Sequence, residues 1–223
     1  FSSEIKGIYS SDTKLELDRN KFLINAKTLE GNFTTIFQNV DIVPPGSYFI
    51  MDLKNFKVKK KRWWHTIDNF PSISVNLSSI KDNLKALLVE ATQERLIADV
   101  KIATSLSGGV DSSIIFSILN RINKTNNKRS DLDLNPFILK YEENQTFDDA
   151  IKLSDYFKRK PHVIGVDDSY AENITKNLSS IELVESYFNQ LEIYKAQKEK
   201  GFKISIDGHG ADECLGGYDH DIQ

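Results

Sequence analysis

The chain has 223 residues, of which 39% are hydrophobic, 10% aromatic and 27% charged, a balance typical of folded globular proteins and too apolar for a disordered one. Its formal net charge of -3 provides no overall basic field to attract nucleic acid or an anionic membrane. No apolar stretch approaches the roughly 20 residues that span a bilayer, and the single cysteine excludes an internal disulfide. We therefore expect a cytoplasmic protein that binds neither membrane nor nucleic acid.

Residues 1–66 predict a small α+β fragment with too few elements for a complete core. Apolar residues repeat with a helical period over residues 18–29, and two strand-like runs, 48–53 and 56–64, predict a hairpin. Because the sequence begins with phenylalanine and its only methionine is internal, we expect the chain to be part of a longer protein.

A basic segment within the second run ends at two tryptophans. It consists of Lys57, Lys59, Lys60, Lys61 and Arg62, followed by Trp63 and Trp64. We interpret it as an exposed strand that leads into a packed tryptophan, because lysines also protect sheet edges; a nucleic-acid-binding strip is the alternative. The polar stretch 67–76 contains a proline, breaks both periods and predicts a linker.

From residue 77 onward the pattern changes to one of alternating helices and strands. A first helix is predicted over 79–99, where Ser79 and Asp82 have the spacing of an N-terminal cap. Its expected buried stripe is Ile80, Leu84, Leu87, Ala91 and Leu96.

Further elements follow this helix in a regular order. They are strand 101–106, helix 112–122, strand 136–141, helix 148–158, strand 162–166, helices within 168–199 and strand 202–206. Such alternation predicts a parallel sheet with right-handed crossovers. The polar residues 123–135 predict a mobile surface loop.

The strongest local signal is the run 107–113, Ser-Gly-Gly-Val-Asp-Ser-Ser, between a predicted strand and a predicted helix. Glycines without a Cβ let backbone N–H groups close on an anion, and the helix N-terminus adds partial positive charge. The run lacks the Gly-Lys-[Ser/Thr] ending of a Walker A loop. Because the Asp111 carboxylate repels phosphate unless a cation lies between them, the run predicts a phosphate cradle with Mg²⁺.

A second glycine-rich run, residues 207–218, follows the last predicted strand and reads Asp-Gly-His-Gly-Ala-Asp-Glu-Cys-Leu-Gly-Gly-Tyr. Loops at the carboxyl ends of parallel strands share one edge of a sheet, where ligands of open α/β sheets bind. We therefore expect the two runs to face one another, with Asp111 and Asp212 as a pair of Mg²⁺ ligands.

Together the two runs resemble the asparagine synthetase family of glutamine-dependent amidotransferases. The first is similar to the family's Ser-Gly-Gly-x-Asp-Ser-Ser and the second to its Gly-x-Gly-Ala-Asp-Glu-x-x-Gly-Gly-Tyr. Residues 147–149, Phe-Asp-Asp, match a Tyr-Asp-Glu stretch of the family. Residues 1–6 and 43–47 resemble the closing segments of its glutaminase domain.

This resemblance implies an α/β, parallel-sheet ATP-pyrophosphatase domain of the adenine nucleotide alpha-hydrolase-like type. It would occupy residues 77–223 and be truncated at its C-terminal end. Residues 1–66 would be the tail of an Ntn-type glutaminase domain, joined to it by the linker 67–76. A homodimer is the expected state of the full-length protein.

The family resemblance also implies a reaction: ATP adenylates the side-chain carboxylate of aspartate, pyrophosphate leaves, and ammonia derived from glutamine displaces AMP. By the family pattern, pyrophosphate would contact Ser107, Gly108, Gly109, Asp111 and Ser112. The AMP moiety would contact Leu106, Leu139, Asp207 and Gly208. Asp111 and Asp212 would hold Mg²⁺, and Glu213 would be either an orienting carboxylate or a helix-capping acid.

Three departures from the family pattern qualify this reading. His209 stands where asparagine synthetases often carry glutamate, so a relative that adenylates another carboxylate, as β-lactam-forming synthetases do, is the alternative. The family's glutaminase nucleophile is an amino-terminal cysteine, whereas this chain begins with Phe1, and we expect Cys214 to be a small buried residue. The chain ends before the family's catalytic lysine, so we expect the isolated fragment to be inactive.

Overall fold

The computed structural model divides the chain into two compact units, Phe1–Val75 and Asn76–Gln223. The residues it describes are 1–3, 5–11, 14–27, 35–69, 76–125, 132–140, 145–165 and 188–217. Within those segments, no helix combines the length and the apolar character needed to cross a membrane.

The described residues of the first unit form two helices, a hairpin and a short 3₁₀ turn. They are α1 (Ile5–Tyr9), α2 (Arg19–Lys27), β1 (Ser47–Met51), β2 (Val58–Arg62) and the turn Ile67–Asn69. Helix α2 begins after Asp18, whose Oδ1 accepts from the N–H groups of Asn20 (2.9 Å) and Lys21 (3.1 Å), as a capping residue does. The predicted helix 18–29 is thus found from residue 19, and its last two positions lie outside the described residues.

The predicted hairpin is confirmed. Strands β1 and β2 pair antiparallel, with Ser47 opposite Arg62 and Met51 opposite Val58. Every residue of β2 is exposed, as expected for a basic strand. Trp63, however, is 65% exposed, so the prediction that this strand leads into a packed tryptophan is wrong. The predicted linker cannot be compared over residues 70–75, which lie outside the described residues.

The second unit opens with helix α3 (Leu77–Glu94), which starts and ends earlier than predicted. Asn76 is its cap, because its side-chain oxygen accepts from Ser78 N at 3.0 Å; the prediction of a Ser79 and Asp82 cap is wrong. The predicted stripe is also wrong in part. Ile80, Leu84 and Leu87 are exposed, whereas Leu96 is buried but lies beyond the end of the helix.

Strands and helices then alternate as the sequence predicts. The elements are β3 (Ile102–Thr104), α4 (Val110–Thr125), β4 (Phe137–Lys140), α5 (Gln145–Tyr156), β5 (His162–Gly165), α6 (Phe188–Glu199), β6 (Ile204–Ile206) and α7 (Ala211–Leu215). Residues 168–187 of the predicted helical segment 168–199 lie outside the described residues. Residue 141, the last position of the predicted strand 136–141, lies outside them as well.

The predicted surface loop 123–135 is wrong at both of its ends. Helix α4 continues to Thr125. Leu132 and Leu134 are 7% and 2% exposed, and both pack into the core. Asp133 N donates to the carbonyl of Ile102 at 3.1 Å, so this segment runs beside β3 because its leucines supply a buried face. Residues 126–131 lie outside the described part of the chain.

The sheet of the second unit is parallel. Strand β3 pairs with β6 and β4 with β5, both in parallel register. A parallel bridge between Ser105 and Phe137 joins the two pairs, and Leu106 N donates to the Phe137 carbonyl at 2.9 Å. The resulting strand order is β6-β3-β4-β5, and the expected α/β class is confirmed. Because parallel strands end at one edge, the segments that follow β3 and β6 emerge side by side.

Buried apolar residues on both strands and helices hold this sheet in place. All of β3 is buried, as expected of a central strand in a parallel sheet. Phe116 of α4 is fully buried and meets Phe157 edge-on at 5.6 Å between ring centroids. Asn120, also fully buried, donates to the Phe116 carbonyl (2.9 Å) and accepts from Arg159 Nε (2.8 Å), so its burial leaves no amide atom unpaired.

Candidate functional site

The first glycine-rich run forms the turn between β3 and α4. Gly108 has φ of +84°, a conformation that glycine adopts without strain. A Cβ at this position would collide with the carbonyl oxygen of Thr146 and reach 3.0 Å from Ala150 N. Glycine at position 108 therefore lets the turn pack directly against the first turns of α5.

Two serine hydroxyls stabilise this turn at the N-terminus of α4. The Oγ atoms of Ser107 and Ser112 lie 2.9 Å apart. Ser107 Oγ accepts from Gly109 N at 3.3 Å, and Ser112 Oγ accepts from Ser107 N at 3.2 Å. Ser112 Oγ also donates to the Gly109 carbonyl at 3.2 Å. These hydrogen bonds fix the turn at the start of α4, where the partial positive charge of a helix N-terminus suits an anion.

The second run packs directly on the first. A Cβ at Gly208 would lie 2.6 Å from Ser112 N and 2.8 Å from the carbonyl carbon of Asp111, distances that real Cβ atoms do not reach. Only glycine fits here without movement of α4. The expectation that both runs meet at one sheet edge is confirmed.

Asp207, the first residue of the second run, accepts four hydrogen bonds through its carboxylate. Its Oδ1 accepts from Ser105 N (3.0 Å) and Ser205 Oγ (2.7 Å). Its Oδ2 accepts from Tyr194 Oη (3.0 Å) and Gln190 Nε2 (3.4 Å). The carboxylate therefore joins the ends of β3 and β6 to helix α6.

A cavity of about 400 Å³ opens between the two runs. Most of the residues expected to contact ligand line it: Leu106, Ser107, Asp111, Ser112, Leu139, Asp207, Gly208, Asp212 and Glu213. Gly108 and Gly109 do not line it. Gly108 instead faces a groove between α3 and α4, so its part in the site is to shape the turn.

The carboxylates of Asp111 and Asp212 reach this cavity from two helix N-termini. Asp111 lies in the first turn of α4 and Asp212 in the first turn of α7, and both are half-buried. A Cβ at Gly217 would collide with Asp212 Oδ1, so the Asp212 side chain lies over the end of its own loop. Glu213 is exposed at the cavity rim.

This donor set fits Mg²⁺ completed by a ligand, not a closed protein site. Among the described residues, no three His, Cys, Asp or Glu side chains form a group that would hold a metal alone. Mg²⁺ is commonly held by one or two carboxylates together with substrate phosphates and water. Asp111 and Asp212 supply that number of carboxylates on a cavity large enough for further ligands.

Several cavity residues escape prediction from the sequence. Thr146 and Phe147 come from the start of α5, and Gln190 and Ile193 from α6. Phe147 belongs to the Phe-Asp-Asp stretch already noted, which is the signal that points to it. For Gln190 and Ile193 the sequence has no such signal, because their helix is amphipathic only weakly and follows a long segment without a motif.

The two remaining candidates of the second run are both at the surface. His209 is exposed and lines the cavity. Cys214 is exposed as well, so the prediction that it is a small buried residue is wrong. Helix α7 is a single short turn bounded by Gly210 and Gly216, and this shortness leaves Cys214 without a covering element in the described residues.

The parallel sheet carries two glycine-rich runs at its carboxyl edge, which defines an α/β domain with a candidate binding site between the runs. The family model for asparagine synthase matches residues 83–222, which is more than half of the chain and includes both runs. The chain therefore belongs to the asparagine synthase family, and the resemblance seen in its motifs is confirmed.

Known relatives are similar to most of this chain at low identity. Amidase chry2 of Gibberella zeae is 29% identical in an alignment 202 positions long that covers 83% of this chain and 30% of the relative. The glutamine-hydrolysing asparagine synthetase of Gallus gallus is 27% identical in an alignment 229 positions long that covers 89% of this chain and 38% of the relative. The chain thus spans about a third of the length of these curated relatives.

The chain is also similar to a solved structure, the NH3-dependent NAD synthetase of Campylobacter jejuni, with a TM-score of 0.41 and 15% sequence identity. The superposition covers 61% of this chain and 60% of that one. The family assignment rests on the family match and the two runs, and not on this likeness.

We predict that Gly208→Ala forces the two runs apart. The new Cβ needs the space held by the first turn of α4, so the unfolding free energy should fall by about 1–3 kcal/mol. Thermal melting and chemical denaturation measure this effect. Gly165→Ala is the matched control, because nothing lies within 4 Å of its Cβ position. Equal effects of the two substitutions would contradict the contact.

We also predict that the Tyr194 hydroxyl ionises at a higher pH than that of a fully exposed tyrosine. Burial first, and the charge of Asp207 second, raise the pKa of Tyr194 above its ordinary value of 10.0. Since the folded state holds this proton more tightly, stability should fall as the pH rises above the ordinary tyrosine range. Tyrosine ¹³Cζ shifts followed against pH, with Tyr194→Phe for assignment, measure the pKa. Asp207→Asn should lower it, and an unchanged pKa in that variant would contradict the contact.

Proposed function

We propose that the second unit of this chain carries the ATP site of an amide-forming ligase that activates a carboxylate by adenylation. The observation that carries the proposal is the contact of Gly208 with the first turn of α4, which brings two glycine-rich runs around one cavity. Membership of the asparagine synthase family supports the same reaction. Domain boundaries at 1–66, 67–76 and 77–223 are part of the proposal.

The first run is suited to the departing pyrophosphate. Ser107 and Ser112 place two hydroxyls 2.9 Å apart at the start of a long helix, where the helix dipole favours negative charge. Gly108 and Gly109 would contribute by shaping the turn that carries the serines, because a Cβ at Gly108 would collide with Thr146. Donors fixed before the reaction stabilise charge as it develops on the leaving group.

The nucleoside half of ATP would lie on the apolar side of the same cavity. Leu106 follows β3, Leu139 lies in the neighbouring strand β4, and both line this side. Gly208 lines the edge beside Ser112. Asp207 contributes through its hydrogen bonds to the strand ends, since its carboxylate already receives four donors. Its part in holding AMP is thus to fix the backbone of the second run.

Asp111 and Asp212 would hold Mg²⁺ between the two runs. Bound there, the cation would neutralise charge on the phosphates and on the pyrophosphate as it leaves. The two carboxylates make this possible because each stands in the first turn of a different helix and reaches one cavity. Glu213, exposed at the rim, would orient the acceptor or cap α7.

The acceptor we propose is the side-chain carboxylate of aspartate, amidated by ammonia from glutamine. His209 lines the cavity at the position where asparagine synthetases often have glutamate, which favours a second candidate: a relative that adenylates another carboxylate, as β-lactam-forming synthetases do. In both reactions the activated carboxylate is attacked by a neutral nitrogen nucleophile, and AMP leaves.

The first unit would be the closing part of a glutaminase domain that supplies ammonia. Its hairpin and the segments 1–6 and 43–47 support this assignment through their likeness to the family. A cytoplasmic location and a homodimer of the full-length protein belong to the same proposal.

We predict that the product of the complete reading frame exchanges labelled pyrophosphate into ATP when aspartate is present. Exchange requires reversible formation of an acyl adenylate, so simple ATP hydrolysis gives no signal. Other amino-acid carboxylates are tested in parallel, and exchange with one of them but not with aspartate would favour the second candidate. Absence of exchange with every carboxylate would contradict the proposed function. Residues 1–223 alone should bind Mg-ATP weakly and form little amide.

We further predict that Asp111→Asn and Asp212→Asn fail in the same way. Each substitution keeps the shape but removes one charge from the shared cation, so pyrophosphate release should require much more Mg²⁺. The double variant should be scarcely worse than either single one, since residues that act through one metal are non-additive. Pyrophosphate release is measured against Mg²⁺ concentration.

Asp155→Asn is the matched control for these variants, because this exposed aspartate of α5 does not line the cavity. It should leave the Mg²⁺ requirement unchanged. Fully additive losses at saturating Mg²⁺, or melting temperatures that fall without any change in pyrophosphate release, would contradict a shared metal site.

A further inference from the structure

One face of helix α6 reaches the base of the second run. Gln190 and Tyr194, four residues apart on α6, both donate to Oδ2 of Asp207, at 3.4 and 3.0 Å. Residues four apart lie on one face of a helix, so these two donors approach the carboxylate from the same side. Gln190 also lines the cavity between the two runs.

The next turn of the same helix supports the other oxygen of Asp207. Gln197 is buried, and its Nε2 donates to Ser205 Oγ at 3.0 Å and to Ser105 Oγ at 3.1 Å. Ser205 in turn donates to Asp207 Oδ1 at 2.7 Å. Because the Gln197 amide nitrogen can only donate, the Ser205 hydroxyl proton is directed to the carboxylate.

These hydrogen bonds all run toward Asp207, so its carboxylate oxygens act only as acceptors. With only Oδ1 bonded, the carboxylate would be free to turn Oδ2 toward a cation in the cavity that Asp207 lines. A third carboxylate would then compete with Asp111 and Asp212 for Mg²⁺. A neutral donor on Oδ2 prevents this without adding a positive charge that would itself attract phosphate.

We propose that Tyr194 is a positioning residue for the nucleotide site, acting through Asp207. Its hydroxyl occupies Oδ2, so that Asp207 ties β3 to β6 and does not bind the cation that accompanies the nucleotide. The inference rests on the proposed function, because it assigns Asp207 a role within that site. Tyr194 is partly exposed, and its partial burial together with the charge of Asp207 raises its pKa.

Tyr194→Phe in the product of the complete reading frame tests the inference, since it removes one hydroxyl and keeps the ring. We expect the KM for ATP to rise about tenfold, as expected for losing a hydrogen bond to a charged group, with a much smaller change in kcat. In the ligand-free protein, calorimetric titration should show Mg²⁺ binding more tightly, because Oδ2 of Asp207 then keeps only the longer hydrogen bond from Gln190, at 3.4 Å. If Tyr194 had only a structural role, Tyr194→Phe would weaken the binding of both ATP and Mg²⁺, or it would change only the melting temperature.

Tyr156→Phe is the matched control. It removes the same hydroxyl group at the surface, because Tyr156 is 77% exposed on α5. Gln190→Met removes the second Oδ2 donor and should shift the KM for ATP and the Mg²⁺ affinity in the same directions, to a smaller extent. This variant tests the role of the Oδ2 donors if Tyr194→Phe is unstable. In Asp207→Asn, a further Tyr194→Phe should have no added effect on the KM for ATP.

Unchanged Mg²⁺ affinity in both the Tyr194 and Gln190 variants, or equal behaviour of the Tyr194 and Tyr156 variants, would overturn the inference. A wild-type protein that exchanges no pyrophosphate with any carboxylate would instead overturn the proposed function. The Mg²⁺ titration of the ligand-free protein does not depend on that activity, so it still decides the role of Tyr194.

Discussion

The close approach of Gly208 to the first turn of α4 is the constraint on which the site depends. Strands β3 and β6 are neighbours in a parallel sheet, where adjacent strands lie only about 4.8 Å apart. The segments that leave them must therefore share a narrow space. Glycine at 208 removes the Cβ that would strike Ser112 N at 2.6 Å, and the cavity forms between the two runs because their backbones meet there.

Asp207 makes this contact possible by continuing the sheet where the strands end. The last paired residues are Thr104 and Ile206. One residue later the Asp207 carboxylate accepts from Ser105 N, so a side chain replaces the next backbone hydrogen bond of the ladder. Both runs then begin from a fixed spacing, and the donors on α6 hold the carboxylate itself in place.

Local residue types were sufficient to predict the alternating elements and the two facing runs. Glycine pairs, capping serines and strand-like flanks impose a turn before a helix whatever the rest of the fold does. Patterns that depend on distant partners were less informative. Leu87 of the predicted stripe on α3 is exposed, whereas Leu132 of the predicted surface loop is buried. Apolar residues become buried only where another element covers them, and that element is remote in sequence.

The same reason limits what sequence reveals about acids in a site. Asp111, Asp207 and Asp212 all line one cavity. Each lies one or two positions from a glycine, so the residue types alone do not rank them. Their roles separate through tertiary donors. Asp207 receives hydrogen bonds from strands β3 and β6 and from helix α6, whereas Asp111 and Asp212 stand in first helical turns facing the cavity. A carboxylate saturated by neutral donors has no oxygen left for a cation, which is why we propose Mg²⁺ ligands at Asp111 and Asp212 and not at Asp207.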